Sequence, residues 1–284
     1  MSETVFLGIP SCFRSLSTAA RSLPDACGLV SANALFDHSK GRFRHPAPDL
    51  FSGLPMALDS AGFVAMVRYW FYRWTLDQYV DLAGSYPWVW WAAPDYCCER
   101  EVAANRSEVL SRVRATAAKL SWALQVAADR GVKPCMPVLQ GWHPDDYIRC
   151  ADLISRFIDL PDLVGIGSMC RRHLAGIDGA VAVVDRLDAI LPAHVRFHLF
   201  GVKGAVAVSL RGHPRIASID SQAYDAAARR EAGKIRKVEP TFSCSVAFRA
   251  RHMSEWYESL RGGLSRVAPV RPPVQTSMFF GEAA

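Results

Sequence analysis

What the chain lacks narrows its reading before any motif is found. No apolar run approaches the roughly 18 residues of a membrane-spanning helix, so a spanning protein is not expected. No Cys-x-x-Cys pair occurs. The eight cysteines are scattered, with only Cys97 and Cys98 adjacent, which excludes the usual zinc-ribbon and iron–sulfur spacings and a disulfide scaffold. Free thiols fit a reducing compartment. No basic stretch followed by a long apolar one opens the chain, so no secretory leader is expected and the protein is placed in the cytoplasm. Neither a phosphate-cradling Gly-x-x-x-x-Gly-Lys-Ser/Thr string nor Gly-x-Gly-x-x-Gly is present, which leaves nucleotide-driven and dinucleotide-dependent chemistry without support. No internal repeat or low-complexity segment interrupts the 284 residues.

What is there reads as a globular chain. Half of the residues are hydrophobic and 21% are charged. A chain of this length buries roughly 75% of its unfolded surface and needs no staples. The net charge of +6 suits a polyanionic partner without identifying one.

Eight short apolar runs recur along the chain, at residues 5–10, 28–35, 55–58, 88–93, 134–139, 163–168, 195–202 and 216–219. Most are continuous rather than alternating, as in strands of a parallel sheet buried on both faces. Helical stretches separate the later ones. One is expected over 99–130, with Val109, Val113, Leu120, Leu124 and Ala127 at helical spacing and Gly131 as its stop. A second opens at His143-Pro144-Asp145-Asp146, and a third covers 181–191 before Pro192. Eight strands with helical crossovers predict an α/β fold, a (β/α)8 TIM barrel, over residues 1–240. Residues 241–284 are expected to form a C-terminal cap and tail, with a helix over 253–264 and a Pro-rich stretch at 267–273. In such barrels the chemistry sits at the carboxyl ends of the strands.

Several polar residues fall there. Asp59 follows Met56-Ala57-Leu58 and precedes a small-residue turn, and Asp220 follows Ile216-Ala217-Ser218-Ile219. Each could be an acid, base or nucleophile, or merely the cap of the next helix. Together they form a candidate carboxylate pair of the kind that divides nucleophilic attack from proton transfer at a glycosidic carbon. Asp95, Gln140 and the Gly167-Ser168 amides end three other runs. A carboxylate, an amide and free backbone N–H groups suit a purine edge; loop caps and tight turns are the plainer alternative.

Short strings then bring a family into view. Leu58-Asp59-Ser60-Ala61-Gly62-Phe63 resembles the LDSGGF motif of tRNA-guanine transglycosylases, and Ala92-Ala93-Pro94-Asp95-Tyr96-Cys97-Cys98-Glu99 is similar to their AFDEC segment. Val138-Leu139-Gln140-Gly141, Val164-Gly165-Ile166-Gly167-Ser168, Phe200-Gly201-Val202-Lys203-Gly204 and Ile219-Asp220-Ser221 resemble VVQGG, GGL, MGVG and FDC, in the family's order. The strings around Gln140-Gly141-Trp142, Met169-Cys170-Arg171-Arg172, Phe197-His198-Leu199-Phe200 and Asp220-Ser221 look most like the DpdA proteins, relatives that insert 7-deazaguanines into DNA.

The resemblance implies a TIM barrel and exchange of guanine in DNA for a free 7-deazaguanine base of the preQ0 type. It implies Asp220 as the nucleophile on C1′ and Asp59 as the general acid and base. Asp95, Gln140, Gly167 and Ser168 would hold the base, with Phe63 or Tyr224 stacking on it. No cofactor is implied, and helper proteins that open the DNA are conceivable. Two departures separate the chain from the tRNA enzymes. Only Cys244 follows Asp220, so their structural zinc site cannot be built, and Val64 stands where many have Gln.

Basic residues are available for phosphates: Arg171 and Arg172 near one strand mouth, and Arg229, Arg230 and Lys234 after Asp220. A solvated charged face is the alternative. Residues 66–74 interleave Arg68 and Arg73 with aromatics. A buried helix with two snorkelling arginines is the favoured reading there, ahead of a channel that stacks on a nucleic-acid strand. His194 and His198 are four apart, but no His-x-His follows the first strand, and a metal-dependent hydrolase fits poorly. The alternatives to a DNA enzyme are a transglycosylase acting on tRNA, a catalytically silent nucleic-acid-binding barrel, and a glycoside hydrolase.

Overall fold

A computed structural model describes residues 3–262. It contains β1 (Thr4–Gly8), β2 (Cys27–Ser31), β3 (Phe36–Asp37), β4 (Arg42–Phe43), β5 (Met56–Asp59), β6 (Val138–Leu139), β7 (Leu163–Ile166), β8 (Arg196–Leu199) and β9 (Ile216–Ser221). Seven of these form one parallel, curled sheet in the order β5-β2-β1-β9-β8-β7-β6, while β3 and β4 pair as a small antiparallel ribbon. The sheet strands lie within or overlap seven of the eight apolar runs. Their side chains are buried on both faces, from Leu7 and Val30 to Val164, Phe197 and Ile219, which is why these runs do not alternate.

The eighth run behaves differently. Residues 90–93 form no strand of their own, but an isolated parallel bridge joins Leu58 to Trp91 and another joins Ala92 to Met136. The Leu58 N–H donates to the Trp90 carbonyl (3.1 Å), and the Ala93 N–H donates to the Met136 carbonyl (2.9 Å). This one segment therefore hydrogen-bonds to edge strand β5 and to Met136, two residues before the other edge strand, β6.

The helices match the apolar spacing with two corrections. The stretch expected as one helix over 99–130 is two, Arg100–Ala103 and Arg106–Asp129. Asn105 breaks it: its side chain accepts the Glu108 N–H (3.1 Å), and a local cap of this kind competes with continuing the helix. The longer helix buries Val109, Val113, Leu120, Ala123 and Ala127 along one stripe. The second correction is residues 66–74. They are not a buried helix: a short helical turn, Gly62–Val64, runs into one π-type turn, Ala65–Tyr69, and then opens. Trp70 and Phe71 are exposed at 77% and 55%.

Past β9, helix Ala223–Ile235 packs on helix Val246–Gly262, which also lies against helix Phe13–Arg21. The expected C-terminal helix thus starts earlier than residue 253 and packs against the first helix of the chain. Residues 263–284, with the Pro-rich stretch, lie outside the described residues. Among the described residues no helix is long and apolar enough to cross a membrane.

Candidate active site

The carboxyl ends of the parallel strands surround a cavity of about 650 Å3. Asp59 closes β5, Asp220 lies one residue before the end of β9, and Gln140 and Gly167 immediately follow β6 and β7. All four line the cavity together with Asp95, Ser168 and Phe63. Chain segments far apart in sequence meet here because parallel strands deliver their ends to one edge of the sheet, where ligands of such folds bind.

Asp220 is buried, and its orientation is fixed. Its Oδ1 accepts the Gly201 N–H (2.8 Å). His198, fully buried one strand away, places Nε2 3.4 Å from the same oxygen and joins Nδ1 to the Ser218 hydroxyl (2.8 Å). The rings of Trp90 and Phe200, each with its centroid 4.6 Å from that of His198, wall the imidazole in. With Oδ1 engaged, Oδ2 is the oxygen left for chemistry.

Asp59 is held by its own turn, its Oδ2 accepting the Ala61 N–H (3.1 Å). Ala61 sits at φ +66°, in the left-handed region that glycine occupies without strain; for an L-residue this costs roughly 1–2 kcal/mol. Burial pushes the Asp59 carboxyl up to about 7, and the charges of Asp95 and Asp220 push in the same direction. Near neutral pH this group holds and releases a proton with comparable ease, as an acid–base catalyst must.

Asp95 anchors a buried polar chain. Its Oδ1 accepts the Ser60 hydroxyl (2.7 Å), its Oδ2 accepts the Gln140 amide, and Gln140 Oε1 accepts the Ser168 hydroxyl (2.7 Å). The Ser168 Oγ in turn accepts the Cys98 N–H (2.8 Å). The Tyr72 hydroxyl donates to the Asp95 carbonyl (2.7 Å) and accepts its N–H (2.8 Å). Burial raises the Asp95 carboxyl pKa, opposed by the Ser60 and Gln140 hydrogen bonds. The chain leaves a carboxylate with spare lone pairs beside an amide with one spare N–H, which matches the N–H groups and carbonyl of a guanine-type edge. There is no slack in it: a Cβ on Gly62 would lie 2.3 Å from Asp95 Oδ1, and one on Gly167 would lie 2.1 Å from Gln140 Nε2.

Three expected assignments change. The Gly167 N–H is not available to a ligand, because the β6–β7 ladder runs one residue further and this N–H donates to the Leu139 carbonyl (3.0 Å). Tyr224 does not line the cavity. It is fully buried, and its hydroxyl donates to the Gly8 carbonyl (2.7 Å), so of the two proposed stacking rings only Phe63 faces the site. Arg172 is not a phosphate contact. It is 2% exposed, and its guanidinium donates to the carbonyls of Ser168, Trp142, Asp178 and Gly141 and to the Tyr147 hydroxyl. Arg229 pairs with Asp225 (2.7 Å), and neither it nor Lys234 lines the cavity; Arg171 and Arg230 do. Arg171 also stacks on Phe63, its guanidinium carbon 4.9 Å from the ring centroid.

Arg172 instead ties together the loops that carry Gln140 and Ser168. Truncation strands several buried acceptors at roughly 1–3 kcal/mol each, so Arg172→Ala is expected to lose about 3 kcal/mol or more of stability in urea unfolding. Arg171 is half-exposed and paired with exposed Glu101 and buried Glu99, and Arg171→Ala is expected to cost less, about 1 kcal/mol. Equal losses in the two variants would contradict the assignment.

Sequence reasoning missed His198 as a partner of Asp220, and Ser60 and Tyr72 as partners of Asp95. Ser60 and His198 carried a signal, through their places in the Leu58–Phe63 and Phe197–Phe200 strings. Among the described residues no group of three or more His, Cys, Asp or Glu is arranged to hold a metal ion. The family model of DpdA, DeoxyPurine in DNA protein A, matches residues 32–260, which span the cavity residues from Asp59 to Arg230. No curated protein matches the chain.

Proposed function

Because the chain belongs to the DpdA family, transglycosylase-type proteins of 7-deazaguanine DNA modification, we propose that it exchanges guanine in DNA for a free 7-deazaguanine base at this cavity. The observation that carries the reading is the meeting of Asp59, Asp95, Gln140 and Asp220 at one cavity on the carboxyl side of the sheet. We read residues 90–93 as the eighth position of a (β/α)8 barrel, since they hydrogen-bond to edge strand β5 and to Met136, which leads into edge strand β6.

The reaction runs in two displacements. The target deoxyguanosine leaves the base stack, at a cost of a few kcal/mol. Asp220 Oδ2 attacks C1′, the C1′–N9 bond breaks, and guanine departs with a proton given by Asp59. The incoming base binds on Asp95 and Gln140 and returns a proton from N9 to Asp59. Its N9 then attacks C1′ and breaks the ester to Asp220. Two inversions keep the sugar configuration. Asp59 ends as it began, and one N-glycosidic bond replaces another, so the cycle draws on no redox cofactor or nucleotide energy. Gly201 N–H and His198 steady Asp220 in both steps, as attacking carboxylate and as leaving group. Arg171, Arg230 and Lys203, at the cavity rim, are placed for phosphates.

The test is base exchange with labelled 7-cyano-7-deazaguanine, offered with DNA and with tRNA separately. Label is expected in DNA alone. Label in tRNA alone would transfer the chain to the tRNA reaction, and label in neither would leave a silent barrel.

A further inference from the structure

One surface beside the cavity is unexplained by the exchange reaction. The helical turn Gly62–Val64 brings Phe63 and Val64 to the cavity wall and continues directly into the π-type turn Ala65–Tyr69. Along this segment Phe63, Val67, Trp70 and Phe71 are exposed at 37%, 47%, 77% and 55%. Four large apolar side chains in nine residues is more than scattered surface hydrophobicity explains. The backbone is unusual as well. Single π-type turns cluster at functional sites, and Trp70 is held at φ +66°, where a bulky residue is strained. The indole stands in solvent rather than in the core.

The charge around these rings has one sign. Arg68 and Arg73 are exposed, and each lies against an aromatic face. The Arg68 guanidinium is 5.3 Å from the Tyr69 ring centre, and that of Arg73 is 5.8 Å from Tyr69 and 5.6 Å from Phe71. No acidic residue occurs between Asp59 and Asp77. Flat apolar faces interleaved with cations, without a carboxylate, complement a chain that offers flat bases and phosphates together. Single-stranded nucleic acid does; paired DNA hides its base faces. A base drawn into the cavity also leaves its neighbours unstacked at the mouth, where this segment begins.

We propose that Phe63, Trp70 and Phe71, with Arg68 and Arg73, form a stacking platform that holds the unpaired DNA bases next to the nucleotide being exchanged. The proposal rests on the DNA reading given above and names the form of DNA this surface takes. Aromatic stacking of this kind tolerates any base, so the platform adds affinity for single strands without setting a sequence.

The experiment is binding of a labelled single-stranded oligonucleotide and of the same sequence as a blunt duplex, by fluorescence anisotropy, for the full chain and for Trp70→Ala/Phe71→Ala. The variant is expected to bind the single strand at least about tenfold more weakly. Its affinity for the duplex is expected to change less than about twofold. Equal single-strand affinity overturns the proposal, and so does a loss that tracks a change in oligomeric state, which would make the surface a contact between copies. Photocrosslinking of an iodouracil-substituted oligonucleotide to the unaltered chain gives an independent readout. Adducts are expected within residues 63–73, and adducts confined elsewhere also overturn it. If the unaltered chain exchanges bases in DNA while the variant binds single strands normally, only the platform fails. If the unaltered chain exchanges bases in tRNA alone, the DNA reading itself fails.

Discussion

Asp220→Ala is expected to abolish base exchange, with a fall of about 10^4-fold or more, while DNA affinity stays within about twofold. The size follows from the role. A nucleophile that forms and breaks the glycosyl bond in both displacements leaves no second route when removed, whereas a group that only orients or protonates leaves part of the rate behind. The geometry is compatible with that role: Asp220 lines the cavity, and its Oδ1 is engaged by the Gly201 N–H with His198 behind it, which leaves Oδ2 without a hydrogen bond among the described residues. Binding should survive because Asp220 sits in the cavity, while Phe63, Arg171 and Arg230 at its rim remain. Intact-mass measurement supplies the direct readout. Wild-type chain given DNA and no free base should carry a covalent DNA adduct, and Asp220→Ala should carry none. Retained exchange in the variant, or an adduct mapped to Asp59, would reverse the two roles.

Asp220 stood out in the sequence because of where strands end. A continuous apolar run buried on both faces terminates abruptly, and the first polar residue beyond it reaches the common edge of a parallel sheet. Asp59, Asp95, Gln140 and Asp220 all carry that signal, and the structure brings them to one cavity. The residues that went astray do so for a shared reason. Arg172 follows Arg171 and looks like its twin, yet one points to the cavity rim and the other into a cage of carbonyls. Tyr224 lies one turn past Asp220, but helix Val246–Gly262 packs on its helix, and the Tyr224 ring turns inward toward Trp256. Composition and spacing report what a side chain is, not which neighbour claims it. The aromatic stretch from Tyr69 to Trp74 failed in part in the opposite direction. Hydrophobicity argued for burial, and Trp74 is buried, but past the π-type turn Trp70, in the left-handed region, and Phe71 stand in solvent. The pairing of His198 with Asp220 was invisible because it depends on β8 lying beside β9, a long-range pairing that no local pattern encodes.

Asp59→Asn separates catalysis from stability, and pH makes the separation visible. Exchange is expected to fall by about 10^2- to 10^4-fold, the range for a lost general acid and base. Stability should move the other way. In the fold the carboxyl is raised from 3.8 to about 7, chiefly by burial and further by Asp95 and Asp220. A raised value means the folded state prefers the protonated acid. The stability this contributes is fully present below the unfolded value near 3.8 and is lost as pH rises through about 7. The amide cannot ionise, so Asp59→Asn should match the wild type in Tm near pH 4 and exceed it at pH 8. The same proton divides the rate profile. The first displacement needs Asp59 protonated, so kcat/KM for DNA should fall above about pH 7. The second needs it ionised, but Asp220 is by then an uncharged ester, and one of the charges that raised Asp59 is gone. The limb in kcat/KM for the free base should therefore lie below 7, and both half-reactions run together around neutrality. A kcat/KM for DNA that stays flat from pH 5.5 to 8.5, with the Asn variant showing the same Tm difference at both ends, would remove Asp59 from proton transfer and leave it a bystander in the cavity.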